Sequence, residues 1–136
     1  MLYQAIKETI IMQITDNFDS GNIRVIEATD PSNIQLEIKR DNQSEFFQWF
    51  HYKLQTERGS NGERLEHVMH LNNAGQAAYI EGWEDYQAVA SYDREHWFRV
   101  PTQYDGKKLT ITLTPEYDSV YFAYFAPYSY ERHQDL

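Results

Sequence analysis

Leu109-Thr110-Ile111-Thr112-Leu113-Thr114 is the stretch whose reading decides the fold. Apolar side chains occupy every second position, and threonine fills the places between. Successive side chains of a strand point to opposite faces. The stretch therefore reads as a strand with one buried and one wet face. Ile34-Gln35-Leu36-Glu37-Ile38-Lys39 repeats the pattern. Working outward, residues 10–15, 23–28, 46–54, 65–71, 86–92, 97–100 and 120–125 read as further strands, about nine in all. The 46–54 segment is aromatic on both parities. Its core set is either Phe47 and Trp49 or Phe46, Phe50 and Tyr52, and the pattern leaves both open.

Turn chemistry separates these runs at the spacing of a sandwich. The strongest turns are Asp19-Ser20-Gly21-Asn22, Asp30-Pro31-Ser32-Asn33, Gly59-Ser60-Asn61-Gly62 and Tyr104-Asp105-Gly106-Lys107. The last is expected to join 97–100 to 109–113. No 3.6-residue period runs longer than two turns, and the best helical segment is the short one at 79–86. The fold class that follows is all-β, an antiparallel β-sandwich of two sheets packed face to face. A chain of 136 residues makes one domain, 1–136. At this size it buries about 65–70% of its unfolded surface, enough for a core without staples.

Composition narrows the partners. There is no cysteine, so disulfide and thiolate chemistry are excluded, which fits a cytoplasmic protein. No stretch approaches the ~18 apolar residues of a membrane span, and the start of the chain carries no signal-peptide pattern. Twelve basic against 21 acidic residues give a net charge of −9. A field of that sign repels phosphate backbones, so nucleic acid is not an expected partner.

A search for catalytic chemistry finds little. The histidines are His51, His67, His70, His96 and His133. His67 and His70 are the closest pair, but positions three apart on a strand face opposite ways and cannot share a metal. There is no His-Glu-x-x-His, no Gly-x-Ser-x-Gly and no glycine-rich phosphate loop. Ser91-Tyr92-Asp93-Arg94-Glu95-His96-Trp97 reads as a hairpin in which Asp93 supports the turn and Trp97 packs in the core. Trp49 and Trp97 read as core rather than as a sugar platform, because a buried aromatic removes ~150–250 Å² from water. Trp83, in Glu81-Gly82-Trp83-Glu84-Asp85, stays open between an exposed contact and a lid on the core.

The end of the chain is different. Seven aromatics lie between Tyr117 and Tyr130, on both parities. A strand with two apolar faces needs cover on both sides, so this segment suggests a surface that awaits a neighbour.

Five segments occur in a telling order: Asp16-Asn17-Phe18-Asp19-Ser20-Gly21-Asn22-Ile23, Phe46-Phe47-Gln48-Trp49-Phe50, Leu71-Asn72-Asn73-Ala74-Gly75, Trp97-Phe98-Arg99-Val100-Pro101-Thr102 and Tyr121-Phe122-Ala123-Tyr124-Phe125-Ala126-Pro127-Tyr128-Ser129. Together they closely resemble the N-terminal domain of the cytosolic-carboxypeptidase branch of zinc metallocarboxypeptidases, in its bacterial form. The resemblance spans residues 15 to 136. It implies a sandwich lying against a catalytic domain that follows and holds zinc through a His-x-x-Glu pair, a later His and a catalytic Glu. This sequence has no His-x-x-Glu. The resemblance therefore implies a non-catalytic chain with no cofactor of its own, the zinc belonging to the catalytic domain of the parent. Residues 131–136 resemble the hinge into that domain.

The expected partner is thus the catalytic carboxypeptidase domain of the same polypeptide. The expected contact residues are Phe18, Asp19, Ser20, Gly21 and Asn22 at one end of the chain. Tyr124, Phe125, Pro127, Tyr128 and Tyr130 are those at the other. Gly21 would permit a positive-φ turn, with Ser20 and Asn22 offering polar atoms to a neighbour or capping their own turn. Without its neighbour the chain has a possible homo-oligomeric state. Two alternatives stand beside this reading. An exposed coplanar set of tryptophans would favour an independent carbohydrate- or peptide-binding module. A cluster of histidines and acids around a pocket would favour a self-sufficient hydrolase.

Overall fold

A computed structural model describes residues 12–39, 48–77 and 80–127. It contains ten strands: β1 (Gln13–Thr15), β2 (Arg24–Glu27), β3 (Ile34–Glu37), β4 (His51–Gln55), β5 (His67–Leu71), β6 (Val89–Ser91), β7 (Phe98–Arg99), β8 (Thr102–Tyr104), β9 (Leu109–Leu113) and β10 (Ser119–Ala123). Two five-stranded sheets result, the first in the order β1-β4-β10-β6-β7, the second β2-β3-β5-β9-β8. The expected helical segment is one turn of 3-10 helix, Ile80–Trp83, and Tyr79 lies outside the described residues.

The alternation sets the layers. Leu109 and Ile111 of β9 are fully buried, and so are their cross-strand partners Leu71 and Met69 on β5. Ile34 and Leu36 of β3 complete that sheet's inner face, with Ile38 just beyond the strand. The first sheet answers with Tyr52 and Leu54 of β4 and Val120 and Phe122 of β10. Tyr52 stacks on Phe122 at 5.2 Å. Its hydroxyl reaches across the core and donates to Met69 Sδ at 3.1 Å. Burial pushes the Tyr52 phenol far above its ordinary pKa. Trp83, only 1% exposed, closes one end of the sandwich and donates its Nε1–H to the Ala74 carbonyl. It is thus the core lid of the two roles open to it.

Three expectations change. First, the run 97–104 is two strands, β7 and β8, so the 104–107 turn joins β8 to β9 rather than 97–100 to 109–113. Pro101 is the reason. It has no N–H for a ladder, and the chain crosses from the first sheet to the second there, with Val100 N–H bonded to Ala88 O and the Pro101 carbonyl taken by Thr112 N–H. Second, among the described strands every pairing is antiparallel except β3 with β5, which is parallel. The strand between them in the chain, β4, belongs to the opposite sheet. Third, Phe50 and Tyr52 are the core parity of the 46–54 segment, and Trp49 is not in the core. Phe46 and Phe47 lie outside the described residues.

The histidine geometry holds. His67 points into the core and is fully buried, while His70 sits half-buried on the opposite face against Thr110 Oγ1.

Candidate functional site

The alternation that sends Tyr52 and Leu54 inward turns His51 and Lys53 outward on β4. On the neighbouring strand β10 it turns Tyr121 outward, opposite Lys53. Such a face is normally wet. Here the segment after β1 folds across it. The ring of Phe18 meets His51 edge-on at 4.8 Å and Tyr121 at 5.4 Å. Trp49 and Trp97 flank His51 at 5.7 and 5.9 Å. His51 is consequently 0% exposed on the outer side of the sheet. Trp97 therefore packs in this outer cluster and not in the core. Trp49 and Trp97 are half-buried and Trp83 is buried, so the tryptophans do not form an exposed set.

The 18–22 turn is pinned at many points. Ser20 Oγ lies 3.0 Å from His51 Nδ1. Trp49 donates its Nε1–H to the Ser20 carbonyl at 2.9 Å. Asn22 and His51 exchange both backbone hydrogen bonds. The Asn22 amide donates to the carbonyls of Trp49 and Lys39. Asp16 accepts from the Ile23 N–H and pairs with Lys39 at 2.6 Å. The expected positive φ falls on Ser20 (64°) and not on Gly21. Gly21 is needed for space, since a Cβ there would sit 2.0 Å from the Asp16 carbonyl oxygen. Asp19 is exposed, and its carboxylate bonds to none of the described residues.

At the other end of the chain the expected residues divide. Tyr124 packs on Trp83 and Tyr86 at 5.4 and 5.1 Å, and its carbonyl accepts from the Tyr86 hydroxyl. It belongs to the sandwich's own edge. Phe125 is 55% exposed and leans on Trp49 at 4.9 Å. Pro127 is half-buried, and Tyr128 and Tyr130 lie outside the described residues. Trp49 thus links the two predicted groups, with one bond to Ser20 and one face to Phe125.

Sequence reasoning missed His51, Trp97, Arg94 and Lys53 as members of this surface. The Arg94 guanidinium lies 5.4 Å from the Phe18 ring and 5.1 Å from Tyr121. Lys53 approaches Tyr121 from β4 at 5.8 Å. Burial, then the charge of Arg94, pushes the His51 pKa down to about 4, against the opposing pull of the Ser20 backbone. His51 is therefore neutral at pH 7. His51 Nε2 and Trp97 Nε1 are both buried and have no hydrogen-bond partner among the described residues. The signal that finds His51 is the parity of β4, once Phe50 and Tyr52 are known to face inward.

Two other groups lie outside this cluster. Asp93, Glu95 and His96 bring ligand atoms within 4.8 Å of one another at the surface. Asp93 Oδ1 already accepts from Ser91 Oγ and the Glu95 and His96 amides, and Oδ2 meets His96 Nδ1. These bonds, those from His96 foremost, hold the Asp93 carboxyl far below the usual range. The group is the expected hairpin turn, and its donors do not fit the zinc of the resemblance. An open groove lined by Glu81, Glu84, Asp85, Tyr104, Asp105 and Lys108 shares no residue with the aromatic cluster.

The molecule is thus a β-sandwich with an internal core and a second aromatic layer outside one sheet. Residues 14–125 match the model of the cytosolic carboxypeptidase N-terminal domain. The chain belongs to that family. It is similar to a metallo-carboxypeptidase of Burkholderia cenocepacia, with 54% identity and a TM-score of 0.83 over 92% of this chain and 32% of that one. A metallo-carboxypeptidase of Pseudomonas aeruginosa, solved in complex with (2-guanidinoethylmercapto)succinic acid, gives 54% identity and a TM-score of 0.80 over 90% of this chain and 32% of that one. An uncharacterised protein of Zymomonas mobilis is 50% identical over 92% of this chain and 31% of its own length. The chain spans about a third of the relatives it matches. No described helix is long and apolar enough to cross a membrane.

Proposed function

We propose that this chain is the accessory N-terminal part of a zinc-dependent carboxypeptidase and sets the outer face of its first sheet against the catalytic domain. The parent polypeptide is then the hydrolase and carries the zinc, and this part orients the catalytic domain and helps it fold. One observation carries the reading: the sandwich closes its own core, yet builds a second aromatic layer around the 18–22 turn where a solvated face would be enough. Phe18, Trp49, Tyr121 and Phe125 supply aromatic area, Tyr121 and Trp49 each with a polar atom, the composition of the buried centre of an interface. A module that binds sugar on flat exposed tryptophans is not favoured by half-buried rings clamped to a turn.

Hydrogen exchange over residues 119–127 tests the proposal, in this chain and in a longer polypeptide that contains it. Added protection around Tyr121 and Phe125 in the longer protein is the expected result. Equal protection in both would make the aromatics part of the sandwich alone and end the proposal.

A further inference from the structure

Two buried N–H groups with nothing to bond are costly, and they normally mark an unseen partner. Trp97 Nε1 can only donate. His51 is neutral, and the tautomer in which the Ser20 hydroxyl donates to Nδ1 leaves its proton on Nε2. The cluster then holds two donors, on rings that meet edge-on with centroids 5.9 Å apart. Its rim is cationic. Neither Arg94 nor Lys53 has a carboxylate within ion-pair distance among the described residues, although the chain carries a net charge of −9. Both cations instead rest on Tyr121. Such ring contacts are weak at exposed sites, so Arg94 gives way readily to a better partner. Orphaned donors inside, and outside them cations with no ion-pair partner among the described residues, describe a site for a carboxylate.

We infer that His51 and Trp97, with Arg94 and Lys53 at their rim, form a carboxylate-binding site, and that its occupant is an Asp or Glu side chain of the catalytic domain. The inference rests on the docking reading above and adds to it the chemistry of the partner. Hydrogen bonds to a carboxylate are stronger than those to a neutral acceptor. They would satisfy both orphan nitrogens and neutralise the rim in one contact.

The three tryptophans supply the test. The indole N–H of Trp49 and that of Trp83 are both bonded to carbonyls, whereas that of Trp97 is free. Proton–nitrogen NMR of the 136-residue chain, titrated with sodium acetate, should move the Trp97 indole and His51 Nε2 signals saturably and leave Trp49 and Trp83 in place. Sodium chloride at equal ionic strength should move none of them. Arg94→Gln, a change on an exposed turn, should weaken the acetate response roughly fivefold, the equivalent of about 1 kcal/mol for one surface charge. A Trp97 signal indifferent to acetate overturns the inference. So does an equal response of all three indoles, or a water cross-peak at Trp97 that acetate does not displace. If Trp97 ignores acetate while the longer protein still protects Phe125, this inference falls and the docking reading stands. If Trp97 responds but Phe125 gains no protection, the docking reading falls, and the assigned occupant with it.

Discussion

On the second sheet Thr110 and Thr112 face outward beside His70, half-buried and in contact with solvent. On the first sheet His51 and Tyr121 hold the equivalent outward places, yet His51 is wholly covered. Both faces come from the same two-residue alternation. What separates them is the 18–22 turn, which lies over the first sheet and buries His51, whereas the described residues near His70 leave an open groove. The difference teaches that a strand's pattern fixes which side chains point outward, while the chain folded over them decides whether outward means wet.

The comparison has a common reference in the core that both faces share. Ile111→Ala should lower stability by about 2–5 kcal/mol, because the residue is fully buried between Met69 and the opposite sheet. Urea unfolding beside the parent checks it, and coincident curves would mean that the phase of β9 is wrong. Next is the turn itself. Gly21→Ala forces a Cβ into the Asp16 carbonyl and should cost about 1–3 kcal/mol, the range for overpacking. It should also expose His51 to solvent. An unchanged midpoint would show that the first sheet's cover is loose and the contrast between the faces is smaller than it looks.

The third prediction uses pH. His51 falls from an ordinary 6.5 to about 4 in the folded chain. Its contribution to stability is complete above pH 6.5. Between pH 6.5 and about 4 the unfolded chain takes up a proton that the folded chain refuses, so stability drops as pH falls. Below about 4 this group causes no further loss. Burial pushes His67 and His70 down as well, so the diagnostic is a difference: His51→Gln should flatten part of the slope and leave the rest. Identical slopes of urea midpoint against pH would show that His51 is not held neutral. The smallest effect belongs to the wet face. Thr112→Val should stay within about 0.5 kcal/mol of the parent, as surface changes usually do. A larger change in the same unfolding assay would mean that this face also has a cover.

Much of the fold was legible because burial here follows a period of two. Ile34, Leu36, Leu109 and Ile111 announce their side by spacing alone, and the glycine, asparagine and proline turns mark the ends of strands. The crossing at Pro101 was legible in principle, since a residue without an N–H interrupts a ladder, but nothing local says that the next strand joins the other sheet. The candidate surface was legible only in part. Phe18, Ser20, Gly21 and Asn22 stand out as a dense turn, and Phe125 as an aromatic excess. His51, Arg94 and Trp97 do not, because each is ordinary in its own segment and the three meet across 46 positions of chain.

By itself, then, the sequence determined most of the strands, the buried sides of β3 and β9 and the family to which the chain belongs, since these rest on local alternation and on motifs in order. Tertiary structure alone decided that β3 and β5 run parallel, that Trp83 is core while Trp97 is not, and that a neutral histidine is walled in on the outer side of a sheet. Those outcomes depend on contacts between residues far apart in the chain, and spacing along a strand carries no record of what will be folded on top of it.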